Sequence, residues 1–146
     1  MYIGGTDSKG IHHLVSEVLD NSMDEAVAGF ATQIDIEFIS DDEISIADNG
    51  RGIPMDFHPK FPDKTALEVI FCTLHAGGKF SDKDYTTSGG LHGVGISVVN
   101  ALSEKLTVEV TKNRVCYSQS FSEGIPLDKI KKVGENRIKS GTKIIF

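Results

Sequence analysis

Hydrophobic positions recur with a helical period between Ile11 and Ala28. Ile11, Leu14, Val15, Val18, Leu19, Met23, Ala26 and Val27, with the small Ser22 among them, predict one buried face. Glu17, Asp20, Asn21 and Asp24 fall together on the opposite side, since successive residues rotate by about 100°. Three carboxylates at this spacing repel one another, and no Lys or Arg on the helix relieves them. Two readings stand: an ordinary solvated face, or one that meets a positive group such as a divalent cation and uses a carboxylate as a base. Thr6-Asp7-Ser8 offers N-caps for this helix and Gly29 a stop.

The pattern then changes period. Thr32 to Ile39 alternates, with Ile34, Ile36 and Phe38 predicted inward and Asp35 and Glu37 outward, the signature of a half-buried strand. Ser40 to Asp42 is a polar turn, and Glu43 to Ala47 returns with Ile44 and Ile46 inward, completing a hairpin. Asp48 to Pro54 (DNGRGIP) reads as a loop. Thr65 to Leu74 predicts a second helix stopped by Gly77-Gly78, and Lys79 to Gly90 is polar without a period. Gly93 to Leu102 is almost wholly apolar and predicts a third, buried helix. Leu106 to Thr111 and Val115 to Phe121 form a second hairpin around Lys112-Asn113-Arg114. Gly124 to Lys139 is a charged connection without a readable shape, and Thr142 to Phe146 is a last apolar strand. Helices and hairpins in this order predict an α+β fold, a two-layer sandwich with helices on one face of a mixed, mostly antiparallel sheet.

Composition narrows the class. The 146 residues, 39% hydrophobic and 25% charged, suit one domain with a single core. No apolar run approaches membrane-spanning length and no signal-peptide pattern opens the chain, so a cytoplasmic protein is expected. Cys72 and Cys116 lie far apart in apolar segments; reduced thiols are expected, with a disulfide left open. The net charge is −6, and ten of the 21 acidic residues lie between Ile11 and Gly50, where there is no Lys or Arg. Nine of the fifteen basic residues lie from Lys105 onward. An acidic chain is poorly suited to binding nucleic acid non-specifically, so any DNA contact is expected on another domain or subunit.

Gly89-Gly90-Leu91-His92-Gly93-Val94-Gly95 leads straight into the third helix. Glycines permit close backbone approach, and a helix start presents unpaired N–H groups, so the stretch suits a phosphate; a flexible loop before a tightly packed helix reads equally well. A Walker loop is excluded by the missing Gly-Lys-Ser/Thr, and the hairpins argue against a Rossmann crossover. Asp48, at a strand end, can accept a hydrogen bond from an exocyclic amine such as that of adenine, or act simply as a turn former. Arg51 can pair with an acid such as Glu25, and Lys79 can close over a phosphate as a point charge. His92 can contact phosphate or pack, whereas His12, His13, His58 and His75 form no ligand cluster. Together these parts describe a nucleotide site. ATP beside Glu17, Asp20 and Asp24 requires a cation, and Mg2+ held by phosphates and the Asn21 carbonyl meets that need. Glu17 can then take a proton from the water attacking the γ-phosphate.

EVLDN (17–21), DNGRGIP (48–54) and GLHGVG (90–95) resemble the three nucleotide motifs of the GHKL ATPases, the superfamily of Hsp90, MutL and histidine kinases. LHAGGKF (74–80) and SGGLHGVGISVVNALS (88–103) narrow the resemblance to the B subunits of bacterial type IIA topoisomerases. HPKFPDKTALEV (58–69) and KFSDKDY (79–85) are closer to the topoisomerase IV branch than to gyrase. The resemblance implies roles: Glu17 as catalytic base, Asn21 as magnesium ligand, Asp48 as adenine acceptor with Thr142 sharing an ordered water. It places Gly52, Ile53 and Pro54 in the adenine pocket, and Arg51 paired with Glu25 at the rim where aminocoumarin-type inhibitors bind. Lys79, Gly90, Leu91, His92, Gly93, Val94 and Gly95 would belong to an ATP lid spanning about 75–95, while Asp20 and Asp24 hold local geometry. The implied activity is ATP-driven dimerisation that gates passage of one DNA duplex through another, with an A-type subunit and DNA as partners in a nucleoid-associated enzyme.

Two departures qualify this. Thr86 stands where some gyrases place a second lid lysine, and Tyr117-Ser118 where some carry an inhibitor-contacting arginine. The resemblance also implies that transducer and cleavage domains are expected beyond Phe146 and a dimerising arm before MYIGG. Residues 1–146 are therefore expected to be an amino-terminal ATP-binding fragment, weakly active alone. The competing readings are a gyrase B subunit, a nucleotide-gated clamp without catalysis, against which Glu17 argues, and a histidine kinase ATPase domain, against which GLHGVGISVVNAL argues.

Overall fold

The computed structural model describes residues 8–58, 61–72 and 93–146. Helix α1 runs Ser8–Val27. It ends in a Schellman closure, with the Phe30 N–H donating to the Glu25 carbonyl (2.9 Å), the Gly29 N–H to the Ala26 carbonyl (3.1 Å), and Gly29 at φ +88°. The hairpin β1 (Ile34–Ser40) and β2 (Glu43–Asp48) follows, then a short ribbon, β3 (Phe57–His58) and β4 (Phe61–Thr65), which the hydrophobic pattern did not predict. Helix α2 is described over Ala66–Cys72 and α3 over Gly93–Leu102. Thr65 caps α2, its Oγ1 accepting from the Glu68 N–H at 3.2 Å in a Thr-x-x-Glu capping sequence. The candidate caps Thr6 and Asp7 lie outside the described residues.

The sheet is completed by β5 (Leu106–Lys112), β6 (Val115–Ser122), β7 (Ile125–Pro126), β8 (Lys131–Glu135) and β9 (Gly141–Ile145). Its order is β1-β2-β9-β5-β6-β7, with β8 also on β6. Every strand pairing among the described residues is antiparallel, in line with the mostly antiparallel sheet expected. The unreadable stretch Gly124 to Lys139 thus holds two strands. It is pinned by Asp128, whose carboxylate accepts from the Ser120 N–H (2.8 Å) and whose carbonyl accepts from the buried Gln119 amide (2.9 Å).

The last strand enters the middle of the sheet. Register places Asp48, Thr142 and Val110 side by side on β2, β9 and β5. The helices cover one face, around a core of Val18, Ile46, Ile53, Leu67, Phe71, Ile96, Val99, Leu106, Val108, Val110, Phe121 and Ile144. Phe71 and Phe121 stack with ring centroids 5.6 Å apart, joining α2 to β6. Cys72 and Cys116 are free thiols.

Two expectations about faces are overturned. Ile36 and Phe38 stand directly opposite Ile46 and Ile44, so they share the core face, yet they are 45% and 75% exposed. Beta1 is the sheet's edge, and the helices pack over the strands inside it. On α1 the second half is inverted: Met23 and Val27 are exposed, while Asn21, Asp24 and Glu25 are buried beside Ser22, which keeps its expected place. Burying polar groups is costly unless they are bonded, so the inversion points to partners inside.

The candidate nucleotide site

Those partners come from the loop after β2. Asp48 ends β2 at 4% exposure. Its Oδ2 accepts from the Ser22 hydroxyl at 2.8 Å and its Oδ1 from the Gly50 N–H at 2.9 Å. Burial pushes the Asp48 carboxyl above its ordinary value, Glu25 adds to the rise, and the bonds from Gly50, Ser22 and the Thr142 N–H oppose it. The loop is bonded on several sides. Asn49 accepts from the Thr32 and Gln33 N–H groups (2.8 and 3.0 Å), the Ile53 N–H donates to Thr142 Oγ1 (3.0 Å), and the Ser140 hydroxyl donates to the Gly50 carbonyl (2.6 Å).

The Arg51–Glu25 pair is no surface ion pair. Glu25 is buried, its Oε1 2.7 Å from Arg51 Nη2 and its Oε2 accepting from the Arg51 N–H at 2.9 Å. The Arg51 guanidinium carbon lies 3.9 Å from the centre of the Phe30 ring, a cation–π contact. A charged group bonded both through its side chain and to its partner's backbone is held far more firmly than an exposed pair.

Glycines make the room. A Cβ on Gly50 would lie 2.5 Å from Glu25 Oε2 and 3.1 Å from Asp48 Oδ1. Gly52 has φ +85°, and a Cβ there would meet the Thr111 carbonyl at 3.1 Å. Ile53 is fully buried beside this turn and Pro54 is half-buried. Farther along α1, half-buried Glu17 lies against Gly95 in the first turn of α3. Gly93 and Val94 open that helix, so its start faces the same part of α1.

The site residues therefore divide. Asp48, Arg51, Gly52, Ile53, Pro54 and Thr142 converge on one loop-and-strand cluster beside α1, and Glu17 and Gly95 meet one turn and more toward its amino end. Asn21, buried at 6% exposure, lies between them on α1. Lys79, Gly90, Leu91 and His92 lie outside the described residues. Sequence reasoning missed Ser22, which it counted with the apolar face, and Phe30, whose contact with Arg51 depends on the turn after Gly29. No group of three His, Cys, Asp or Glu side chains suited to a metal occurs among the described residues. The buried Asn21 carries a neutral oxygen of the kind a bound Mg2+ could use, and a single protein oxygen suits magnesium, which keeps several waters.

A buried strand-end carboxylate, a glycine-cleared loop and an acidic residue at a helix start are the parts of a nucleotide site, and the relationships agree. The family model of the histidine kinase-, DNA gyrase B-, and HSP90-like ATPases matches residues 6–146, and the chain belongs to this family. Among relatives, it is 58% identical over its whole length to the B subunit of DNA topoisomerase 4 from Bartonella bacilliformis and covers 21% of that protein. It is 64% identical to the same protein of Rickettsia felis, covering 22%, and 51% identical to the B subunit of DNA gyrase from Chlamydia pneumoniae, covering 19%. In structure it is similar to the 43K ATPase domain of Thermus thermophilus gyrase B in complex with an aminocoumarin. The TM-score is 0.82 at 45% identity, over all of this chain and 36% of that one. The chain thus spans about a fifth of the length of these curated relatives.

Proposed function

We propose that this chain binds and hydrolyses ATP as the amino-terminal nucleotide-binding part of a type IIA topoisomerase B subunit, of the topoisomerase IV kind. The observation that carries the ATP reading is the continuous edge of α1. Ser22 and Glu25 fix the Asp48–Arg51 loop at one end, while Glu17 meets the start of α3 at the other. Glu17 to Glu25 spans eight residues, a rise of about 12 Å at 1.5 Å per residue, room in this reading for a base at one end and phosphates at the other.

In this reading the ionised Asp48 accepts the exocyclic amine of adenine. Ser22 and Gly50 hold its two oxygens in place, and Thr142 lies beside it to share a water. Gly52, Ile53 and Pro54 flank the base. The N–H groups opening α3 (Gly93, Val94, Gly95) face the phosphates, with Lys79, Gly90, Leu91 and His92 as further lid contacts. Glu17 holds a carboxylate where an attacking water can pass its proton. Mg2+, when bound, neutralises phosphate charge beside an acidic helix, with Asn21 as its protein ligand. The topoisomerase 4 relatives reach 58–64% identity, against 51% for the gyrase relative, which favours decatenating topoisomerase IV over supercoiling gyrase.

For the whole protein we propose ATP-driven dimerisation, an A-type partner subunit, DNA as substrate and a place at the nucleoid in the cytoplasm. No helix among the described residues is long and apolar enough to cross a membrane. The 146 residues alone should bind nucleotide and turn it over slowly, because dimerising and transducing segments lie elsewhere in such proteins. Comparing Glu17→Ala with wild type tests the enzymatic reading: equal single-turnover hydrolysis would leave a nucleotide-gated clamp.

A further inference from the structure

Alpha1 and α3 pack together where Glu17 meets Gly95. A Cβ built on Gly95 would overlap the Glu17 Oε2, lie 2.6 Å from its Cδ and 2.9 Å from its Cβ. These separations are well inside van der Waals contact, and Gly95 is buried. The residue is helical and does not have a left-handed backbone, so backbone conformation does not demand glycine here. By helix propensity alone, Ala would be the better residue. What demands glycine is the carboxylate: its oxygen occupies the space a methyl group would fill.

We infer that Gly95 is a positioning residue for the hydrolytic base, acting by leaving the hollow in which the Glu17 carboxylate sits at the start of α3. This rests on the reading of Glu17 as the base and goes beyond it, since glycines in such a loop are otherwise explained by phosphate approach. The two explanations separate cleanly. Alanine keeps the N–H that a phosphate would use, but it evicts the carboxylate. A catalytic group displaced by about 1 Å costs on the order of 100-fold in rate, whereas nucleotide affinity depends on contacts that remain.

The experiment uses the 146-residue chain with protein in excess over MgATP. Gly95→Ala should lower single-turnover hydrolysis by about 100-fold, with any loss of MgATP affinity well short of that. It should also lower the melting temperature, against the stabilisation Ala ordinarily brings to a helix. In a Glu17→Ala background that loss should shrink to less than half, because two of the three close contacts are gone. Unchanged hydrolysis, a fall in affinity as large as the fall in rate, or the same melting loss in both backgrounds would overturn the inference. A wild-type rate retained by Glu17→Ala instead removes the base assignment, and the melting comparison still decides whether Gly95 houses the Glu17 side chain.

Discussion

Replacing Asp48 by Asn changes charge and donor pattern while keeping size. The buried Gly50 N–H, 2.9 Å from Oδ1, requires an acceptor, so the Asn carbonyl must turn toward it. The amide nitrogen then takes the place of Oδ2, 2.8 Å from Ser22 Oγ, and the hydroxyl must become the acceptor. The protein loses little, but an incoming adenine amine now meets an N–H group in place of a carboxylate oxygen. Hydrogen bonds to charged groups contribute about 1.5–3 kcal/mol, so MgATP binding should weaken by about 10- to 150-fold. Stability should move the other way. Burial raises the Asp48 pKa in the folded chain, so the native state holds a proton over a range where the unfolded chain has lost it. The contribution of this group is therefore most favourable at low pH and is lost as pH rises through the raised value. Asp48→Asn should melt higher than wild type above that value, and the advantage should vanish toward the ordinary carboxylate range. Calorimetric titration with MgATP and melting curves across pH read both effects. Affinity retained within about threefold, or a stability gain that grows as pH falls, would refute the reasoning.

Other perturbations read separate parts of the site. Glu17→Ala should reduce single-turnover hydrolysis by about 100-fold or more with MgATP affinity nearly unchanged, measured by rapid quench and titration. Phe30→Ala removes the ring under Arg51, a contact worth about 0.5–1 kcal/mol. It should lower stability by that amount in urea unfolding, and Phe30→Tyr should restore it. Gly52→Ala forces a side chain into a left-handed turn against the Thr111 carbonyl, which should cost about 1–2 kcal/mol in urea unfolding.

The elements with a strong period were legible in the sequence. Alpha1, α3 and the β1–β2 and β5–β6 hairpins fall where the pattern placed them, because Val18, Ile34, Ile46, Ile96, Val108 and Phe121 meet in or against a single core. What was not legible is what packing alone decides. Beta8 reads as a charged connection because Lys131, Lys132 and Glu135 line an outer strand, whose pairing with β6 leaves their side chains in solvent. Beta1 reads as half-buried because Ile36 and Phe38 continue the core face of β2; nothing local says that the described helices stop short of covering them. On α1, periodicity assigned Met23 and Val27 to the core and Asp24 to the opposite side. The loop at Asp48 and Arg51 reversed that by offering Ser22 and Glu25 bonds inside. The site motifs themselves were legible as Asp48, Gly50-Arg51-Gly52 and Gly93 to Gly95. The Phe30–Arg51 contact depends on the turn after α1, and the Glu17–Gly95 contact on how two helices meet, which residue spacing does not encode.

The central claim is a bound ATP laid along α1, adenine on Asp48 and phosphates toward α3. A crystal structure of the chain with Mg2+ and a non-hydrolysable ATP analogue tests it most directly. The account predicts the exocyclic amine within hydrogen-bond distance of the Asp48 carboxylate and the terminal phosphate near Gly95, with a water between it and Glu17. Adenine bound away from Asp48, or phosphates at the opposite end of α1 beside Arg51, would contradict it.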